Sequence, residues 1–212
     1  MVIKKILITG GTGMVGKGFH KLDTKYDFTF VGSRDYDLRS IVETDCMIRE
    51  HTPDAIIHLA ARVGGVKSNT NFVADFFKDN ILMNTNLLDA SSKLGVDKVV
   101  SLLSTCVYPD IAQYPLTPEQ FHDGPPHQSN FGYAYAKRML EMQCRNYNKA
   151  YGHEYICVIP VNLFGPYDNY EIKDAHLIPA VMHRWHIAKK NNQEKFLAYG
   201  TGAPLRQFLY AP

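Results

Sequence analysis

The sequence has few of the features that mark secreted, membrane-embedded or metal-bound proteins. Its 212 residues include four cysteines (positions 46, 106, 144 and 157) and no C-x-x-C pair, so we expect neither a disulfide scaffold nor a metal site. No apolar run is long enough to cross a bilayer, and Ile6–Ile8 is too short for the core of a signal peptide. We therefore expect a soluble protein of a reducing, cytoplasmic compartment.

An excess of charge of one sign is also missing. Lys and Arg total 23, Asp and Glu total 21, and the formal net charge is +2. This balance argues against nucleic-acid or membrane-surface partners, but it allows a local basic pocket for a small phosphorylated ligand. Hydrophobic residues make up 45% of the chain, which is enough for a packed core.

Strand-like and helix-like patterns alternate along the chain, which indicates βαβ units around a parallel sheet. We predict strands near residues 3–9, 28–31, 55–59, 99–103 and 155–159, and helices from about residue 14 and over residues 41–51, 71–94, 133–151 and 179–190. The expected fold class is α/β, with a Rossmann-type doubly wound parallel sheet. We assign residues 1–165 to a nucleotide-binding domain and residues 166–212 to the start of a substrate-binding domain.

A glycine-rich segment follows the first predicted strand and opens a helix. This is the context that dinucleotide binding requires, because glycines let the backbone approach a pyrophosphate and the free N–H groups of a helix start hold its charge. A plain glycine turn is the alternative, and the order of strand, motif and helix disfavours it. The segment predicts seven cofactor-binding residues: Gly10, Gly11, Thr12, Gly13, Met14, Val15 and Gly16.

The end of the second predicted strand indicates which dinucleotide is bound. An acidic residue here usually accepts the ribose 2′-OH of NAD, whereas an arginine receives the 2′-phosphate of NADP. The strand runs into Ser33, Arg34 and Asp35, so both residue types are present. We assign Arg34 to the 2′-phosphate and predict NADP(H), with Asp35 as a competing ribose acceptor or a solvated loop charge.

Tyr133 and Lys137 form a Y-x-x-x-K pair, whose spacing places both side chains on one helix face. A lysine ammonium beside a phenol favours the phenolate, which would prepare Tyr133 for proton transfer. Lys137 is also predicted to bind the cofactor, by donating hydrogen bonds to the nicotinamide ribose. An amphipathic helix with one aromatic residue and one exposed lysine is the alternative. Ser104 favours the catalytic interpretation, because it follows a buried strand, and the carboxyl ends of parallel strands form the ligand crevice.

With Asn162–Pro166, these motifs resemble the extended short-chain dehydrogenase/reductases. Within that superfamily the chain is similar, over essentially its whole length, to the GDP-L-fucose synthase family, the GDP-4-keto-6-deoxy-D-mannose 3,5-epimerase/4-reductases. The segments that carry this similarity are His58–Ala61 with Val63–Gly65, Ser104–Pro109, Gly124–His127, Asn130–Lys137 and Gly200–Phe208.

The resemblance implies NADPH-dependent epimerisation and reduction of GDP-4-keto-6-deoxy-D-mannose to GDP-L-fucose. It implies that Ser104, Tyr133 and Lys137 carry the reduction. Cys106 would be the base and His176 the acid of the epimerisation, roles that suit groups able to titrate near neutral pH.

The resemblance also implies the remaining ligand contacts and the assembly. Further cofactor contacts are implied at Ala60, Ala61, Val63, Leu103, Pro160, Val161, Asn162, Leu163 and His176. Substrate contacts are implied at Arg184, Tyr199 and Arg206, although many family members have Trp at position 199. The family is typically homodimeric through a four-helix bundle. It continues for roughly a hundred residues past the motif at Pro212, a small-domain length, so we expect weak turnover or none from this chain alone.

Two alternatives stay open. Another NAD(P)-dependent sugar-nucleotide epimerase or dehydratase would share the fold, but it usually lacks a reactive cysteine at position 106, and a 4,6-dehydratase would need an acidic residue nearby. A non-catalytic NADP-binding module would keep the glycines and typically lose Tyr133 or Lys137, and both are present.

Overall fold

A five-stranded parallel sheet forms the centre of the molecule. The computed structural model describes residues 3–172, 174–203 and 205–212. The strands are β1 (Lys5–Thr9), β2 (Asp27–Val31), β3 (Ala55–His58), β4 (Lys98–Leu102) and β5 (Glu154–Val158). Their order is β2-β1-β3-β4-β5, so the chain reverses its winding direction between β1 and β3. The predicted doubly wound α/β fold is confirmed, and this switch point is where such sheets open a ligand crevice.

Six α-helices accompany the strands in the described part of the chain. They are α1 (Met14–Phe19), α2 (Ile41–His51), α3 (Val66–Asn71), α4 (Val73–Lys93), α5 (Phe131–Tyr151) and α6 (Leu177–Lys190). The predicted helix over residues 71–94 is observed as α4. Helix α3, which was not predicted, meets it at Phe72, where φ is −123° and ψ is 40°. The bounds of α2 agree with the prediction. The Ser40 side chain caps its first turn by accepting a hydrogen bond from the Glu43 amide.

The strands of the sheet bury both of their faces at the centre. Leu7 of β1 packs into the larger core with side chains of α2, α4 and α5. Its neighbours Ile6 and Ile8 point to the other face and join a smaller cluster, against which Phe19 of α1 packs. This alternation follows from the two-residue period of a strand. It fixes α1 over one face of β1 and leaves the loop before α1 at the carboxyl edge of the sheet.

A second, two-stranded sheet lies near the C-terminal residues of the chain. Strand β6 (Asn162–Phe164) pairs in parallel with β7 (Phe208–Tyr210). The strand-like end of the sequence anticipates β7, whereas β6 was not predicted because three residues are too few to show a period. Among the described residues, no helix is long and apolar enough to span a membrane.

Candidate active site

The glycine segment makes a turn in which side chains have no room. Gly10 has a φ of 69°, and a Cβ on it would lie 2.7 Å from the Ala60 amide nitrogen. A Cβ on Gly11 would lie 2.8 Å from Cβ of Phe30, and one on Gly16 would overlap the Gly11 carbonyl oxygen. Glycine is therefore required for β1, β2, β3 and α1 to approach this closely. At Gly13, which precedes α1, only the Gly10 oxygen would be near, at 3.2 Å, so the outer side of the turn is open.

The turn after β2 separates the roles of Arg34 and Asp35. The Gly32 amide donates to the Asp35 carboxylate at 2.7 Å, and the Asp35 amide donates back to the Gly32 carbonyl at 3.0 Å. Asp35 thus closes the turn. Arg34 is exposed and has no ion pair among the residues that the structure describes. The Thr12 hydroxyl reaches the same turn, since a Cβ on Gly32 would lie 2.5 Å from it. The guanidinium next to the glycine turn is free to bind an anion.

Ser104 and Cys106 lie just past the carboxyl end of β4. A short 3₁₀ helix (Thr105–Val107) starts there, and the Cys106 amide donates to the Ser104 hydroxyl oxygen at 3.5 Å. Leu103 is buried in the core, and its amide donates to the Val158 carbonyl at 2.9 Å. The turn is therefore anchored to β5, and both side chains are half-buried at the crevice edge.

Helix α5 brings Tyr133 and Lys137 to the same place. Lys137 is 1% exposed, and its Nζ donates to the Leu102 carbonyl at 2.7 Å, at the end of β4. The same Nζ lies 5.9 Å from the centroid of the Tyr133 ring. The alternative of an exposed surface lysine is therefore wrong. The contact joins the Y-x-x-x-K pair to the strand end that carries Ser104.

Burial sets the protonation states of this cluster. It raises the pKa of the Tyr133 phenol, with the nearby Cys106 adding to the effect, and it lowers the pKa of Lys137 to about 8. Burial also raises the pKa of the Cys106 thiol, which a hydrogen bond to Ser104 and the charge of Lys137 partly offset. The expectation of a Tyr133 phenolate is corrected, as is that of a Cys106 thiol titrating near neutral pH, because desolvation disfavours charged forms. The raised pKa favours the neutral phenol of Tyr133.

A buried histidine lies below this cluster and stays neutral. His58, at the end of β3, hydrogen-bonds to the Thr9 hydroxyl at 2.8 Å and to the Asn84 amide oxygen at 3.0 Å. Burial, with Lys137 as a second cause, lowers the pKa of His58 to about 3. Thr9 and His58 are also neighbours across the β1–β3 register. His58 therefore ties β1, β3 and α4 together at the switch point and adds no charge.

The remaining predicted cofactor residues lie around the same edge or beyond it. Ala60 and Ala61 are half-buried after β3, whereas Val63 is exposed. Pro160 and Val161 lie between β5 and β6, Asn162 and Leu163 begin β6, and all four are half-buried. The Asn162 side-chain amide donates to the Gln207 carbonyl at 2.9 Å. The Asn162 amide is thus used to hold the residues before β7.

His176 lies at the first turn of α6, apart from the contacts that join Ser104, Cys106, Tyr133 and Lys137. Its side chain is 53% exposed, and its Nδ1 lies 3.9 Å from the carboxylate of Asp168, which is buried. The second oxygen of that carboxylate, Oδ2, is buried without a hydrogen-bond partner. Asp168 therefore places a carboxylate within ion-pair distance of the imidazole at the amino end of α6.

Two of the three predicted substrate residues, Arg184 and Tyr199, contact each other away from this cluster. The Arg184 guanidinium carbon lies 4.4 Å from the centroid of the Tyr199 ring. This is a cation–π contact, in which the face of the ring attracts the positive charge. Arg184 also lines a cavity of about 240 Å³, with Lys195 and Phe196 among its other residues. Arg206 is exposed. The structure thus pairs Arg184 with Tyr199 and leaves Arg206 outside that pair.

Comparison with known proteins identifies the family of this fold and cluster. The chain matches the NAD dependent epimerase/dehydratase family over residues 6–212. The chain belongs to this family. It is 46% identical to the GDP-L-fucose synthase of Dictyostelium discoideum, over 98% of this chain and 66% of that protein. It is 42% identical to a probable GDP-L-fucose synthase of Drosophila melanogaster, over 99% of this chain and 68% of that protein.

A solved structure of a similar protein gives the same result. The NADP-bound GDP-L-fucose synthetase of Naegleria fowleri has a TM-score of 0.90 and 45% identity, and the match covers 98% of this chain and 69% of that one. The chain therefore spans about two thirds of the length of the relatives it matches.

Two buried charged groups at the site could not be identified from the sequence. Arg138 is 4% exposed and its Nε donates to the Val107 carbonyl at 2.7 Å. Asp168 is the carboxylate beside His176. Each lies within a few residues of a recognised motif, but spacing alone does not tell a buried charge from a solvated one.

Proposed function

We propose that this protein binds NADP(H) and converts GDP-4-keto-6-deoxy-D-mannose to GDP-L-fucose, as isomerase and oxidoreductase. One observation carries the proposal: Lys137 reaches from α5 to the Leu102 carbonyl, which brings Tyr133 to the strand end that bears Ser104 and Cys106. The identity of 46% and 42% with a GDP-L-fucose synthase and a probable one supports this choice of substrate within the family.

The turn before α1 fits a dinucleotide. Three of its glycines admit no side chain, and its outer side is open. Gly10 to Gly16 would hold the pyrophosphate, and Arg34 would receive the 2′-phosphate because Asp35 is occupied by the Gly32 amide. The Naegleria fowleri relative with 45% identity is bound to NADP. When bound, the reduced nicotinamide supplies the hydride for C4 of the sugar.

The reduction needs a proton at the C4 oxygen. The Tyr133 hydroxyl supplies it, because burial keeps the phenol protonated. Ser104 polarises the C4 carbonyl by donating a hydrogen bond. Lys137, with a pKa of about 8, holds a positive charge beside the phenol at neutral pH and stabilises the phenolate formed when the proton leaves.

The epimerisation needs a base and an acid on opposite faces of the sugar. The C3 and C5 protons flank the C4 ketone, so polarisation of that ketone by Ser104 acidifies them. At each of the two carbons in turn, Cys106 as a thiolate takes the proton and His176, which lies 3.9 Å from Asp168, returns a proton from the other face; exchange with solvent restores both groups before the second carbon reacts. Burial raises the pKa of the Cys106 thiol, and the Ser104 hydrogen bond and the nearby cations, which oppose this effect, favour the reactive thiolate.

The remaining assignments belong to the same proposal. Arg184, Tyr199 and Arg206 bind the substrate, with the guanidinium groups suited to the pyrophosphate. Residues 1–165 form the NADP-binding domain and residues 166–212 begin the substrate domain. The protein forms a homodimer through α4 and α5, whose exposed apolar side chains include Phe77 and Met139. Its four free cysteines are consistent with the cytoplasm.

The test uses two readouts that do not depend on each other. The protein is mixed with GDP-4-keto-6-deoxy-D-mannose in deuterated water without NADPH, and deuterium at C3 and C5 is measured by mass spectrometry. NADPH is then added, and its absorbance and the appearance of GDP-L-fucose are followed. We expect exchange in the first step and NADPH consumption in the second. Binding of NADPH without either reaction would favour the non-catalytic alternative, and product formation without release of NADP+ would favour an epimerase with internal redox chemistry.

A further inference from the structure

Arg138 is a buried cation that the proposed reaction does not yet use. It follows Lys137 on α5, is 4% exposed, and has no carboxylate partner among the described residues. Its Nε donates to the Val107 carbonyl at 2.7 Å, its guanidinium carbon lies 5.4 Å from the centroid of the Tyr135 ring, and its Nη2 is buried without a hydrogen-bond partner. A buried charge without a counter-ion is costly, so its presence calls for a compensating role.

The contact with Val107 places the guanidinium of Arg138 on the turn that carries Cys106. Val107 ends the 3₁₀ helix that carries Cys106, so the hydrogen bond from Arg138 fixes the last residue of that turn while Ser104 fixes its start. The backbone of the turn is therefore held at both of its ends. A guanidinium suits this task because its Nε makes the hydrogen bond while the rest of the planar group keeps its charge unpaired.

The groups that face the Cys106 thiol come from two elements. From α5 they are the ammonium of Lys137, the guanidinium of Arg138 and the neutral phenol of Tyr133, and from the turn itself the Ser104 hydroxyl. The two cations and Ser104 lower the pKa of the thiol, and burial raises it. Lys137 is already committed to Leu102 and Tyr133, so Arg138 is the cation whose contact is made with the turn that carries the thiol.

We propose that Arg138 is a positioning residue for the base of the epimerisation: it fixes the turn that carries Cys106, and its unpaired charge favours the thiolate. The inference rests on the proposed function only for the role of Cys106 in the reaction. The effect of Arg138 on the thiol is independent of any turnover.

The test measures the ionisation of Cys106 directly. The rate of alkylation by iodoacetamide is measured from pH 6 to 10 for the unmodified protein and for Arg138→Met, Arg138→Gln and Arg138→Lys, with each cysteine quantified by peptide mass spectrometry. Cys46, an exposed thiol on α2, is the internal control. We expect Arg138→Met and Arg138→Gln to raise the apparent pKa of Cys106 and to slow its alkylation at pH 7 about threefold, with Cys46 unchanged. Arg138→Lys retains the charge and should restore most of the rate.

Each outcome decides the matter. Equal Cys106 profiles in Arg138→Lys and Arg138→Gln would overturn the proposal, since these variants differ in charge while both keep a donor for Val107. Loss of the fold in all three variants would make Arg138 a structural residue and would also overturn it. A protein that shows the expected alkylation profiles but no deuterium exchange would refute the proposed function and leave the role of Arg138 in ionising the thiol intact.

Discussion

Removal of the buried charge of Lys137 should change how the stability of the protein depends on pH. Lys137 is 1% exposed and its ammonium has one hydrogen bond, to the Leu102 carbonyl. Burial lowers its pKa from 10.5 to about 8. We expect Lys137→Met to remove this unfavourable ionisation while keeping most of the apolar stem.

The sign and size follow from proton linkage. Between pH 8 and 10.5 the unfolded chain still holds a proton that the folded protein has released, so the free energy of unfolding rises with pH in this window. The gap between 10.5 and about 8 corresponds to about 3 kcal/mol. The full penalty is present below pH 8 and is gone above pH 10.5. Loss of the hydrogen bond to Leu102 should offset about 1 kcal/mol of the gain in the variant.

The assay is urea unfolding at several pH values from 7 to 10.5, with the unmodified protein and Lys137→Met compared at each pH. Tyrosines and cysteines titrate in both proteins, so their effects largely cancel in the difference. The advantage of the variant should shrink by about 3 kcal/mol across the range. Lys149→Met, at an exposed position on the same helix, is the control and should show a constant difference. Parallel curves for Lys137→Met would refute the reasoning, because they would mean that Lys137 keeps an ordinary pKa.

Three further changes test other parts of the site. Gly16→Ala places a Cβ against the Gly11 carbonyl and should lower the free energy of unfolding by about 1–3 kcal/mol. Gly18→Ala in the same helix is the control, because its Cβ would lie 3.6 Å from the nearest atom, and it should cause no such loss. Urea titration of both variants measures the difference. Arg34→Ala should weaken NADPH at least about tenfold and leave NADH unchanged in fluorescence titrations; equal losses would remove Arg34 from the 2′-phosphate site. Tyr133→Phe should slow reduction about 10² to 10⁴-fold while deuterium exchange continues; equal loss of both activities would contradict the separate roles.

The fold was largely predictable because its signals are local. Apolar strands, the glycine turn and the capped helix α2 each occupy a continuous segment, so their order indicated a doubly wound sheet. Helix α3 was missed, because its six residues are mostly polar and too few to show an apolar period. The pairing of β6 with β7 was missed because it joins residues more than forty positions apart.

The site was predictable in its residue types and only partly in its chemistry. The spacing of Tyr133 and Lys137 placed them on one helix face, and Ser104 lay at the expected strand end. The directions of the Tyr133 and Cys106 pKa shifts were not foreseen, because nearby cations suggest ionised groups, whereas burial acts in the opposite sense and is the larger effect here.

The sequence alone determined what depends on distance along the chain: a glycine turn that opens a helix, a tyrosine and a lysine one turn apart, and a serine after a buried strand. Only the tertiary structure decided what depends on packing. It joined Lys137 to Leu102, Arg138 to Val107 and His176 to Asp168, and it withdrew Asp35 into a turn. These contacts cannot be read from spacing, because desolvation and charge pairing depend on which distant side chains fill the same volume.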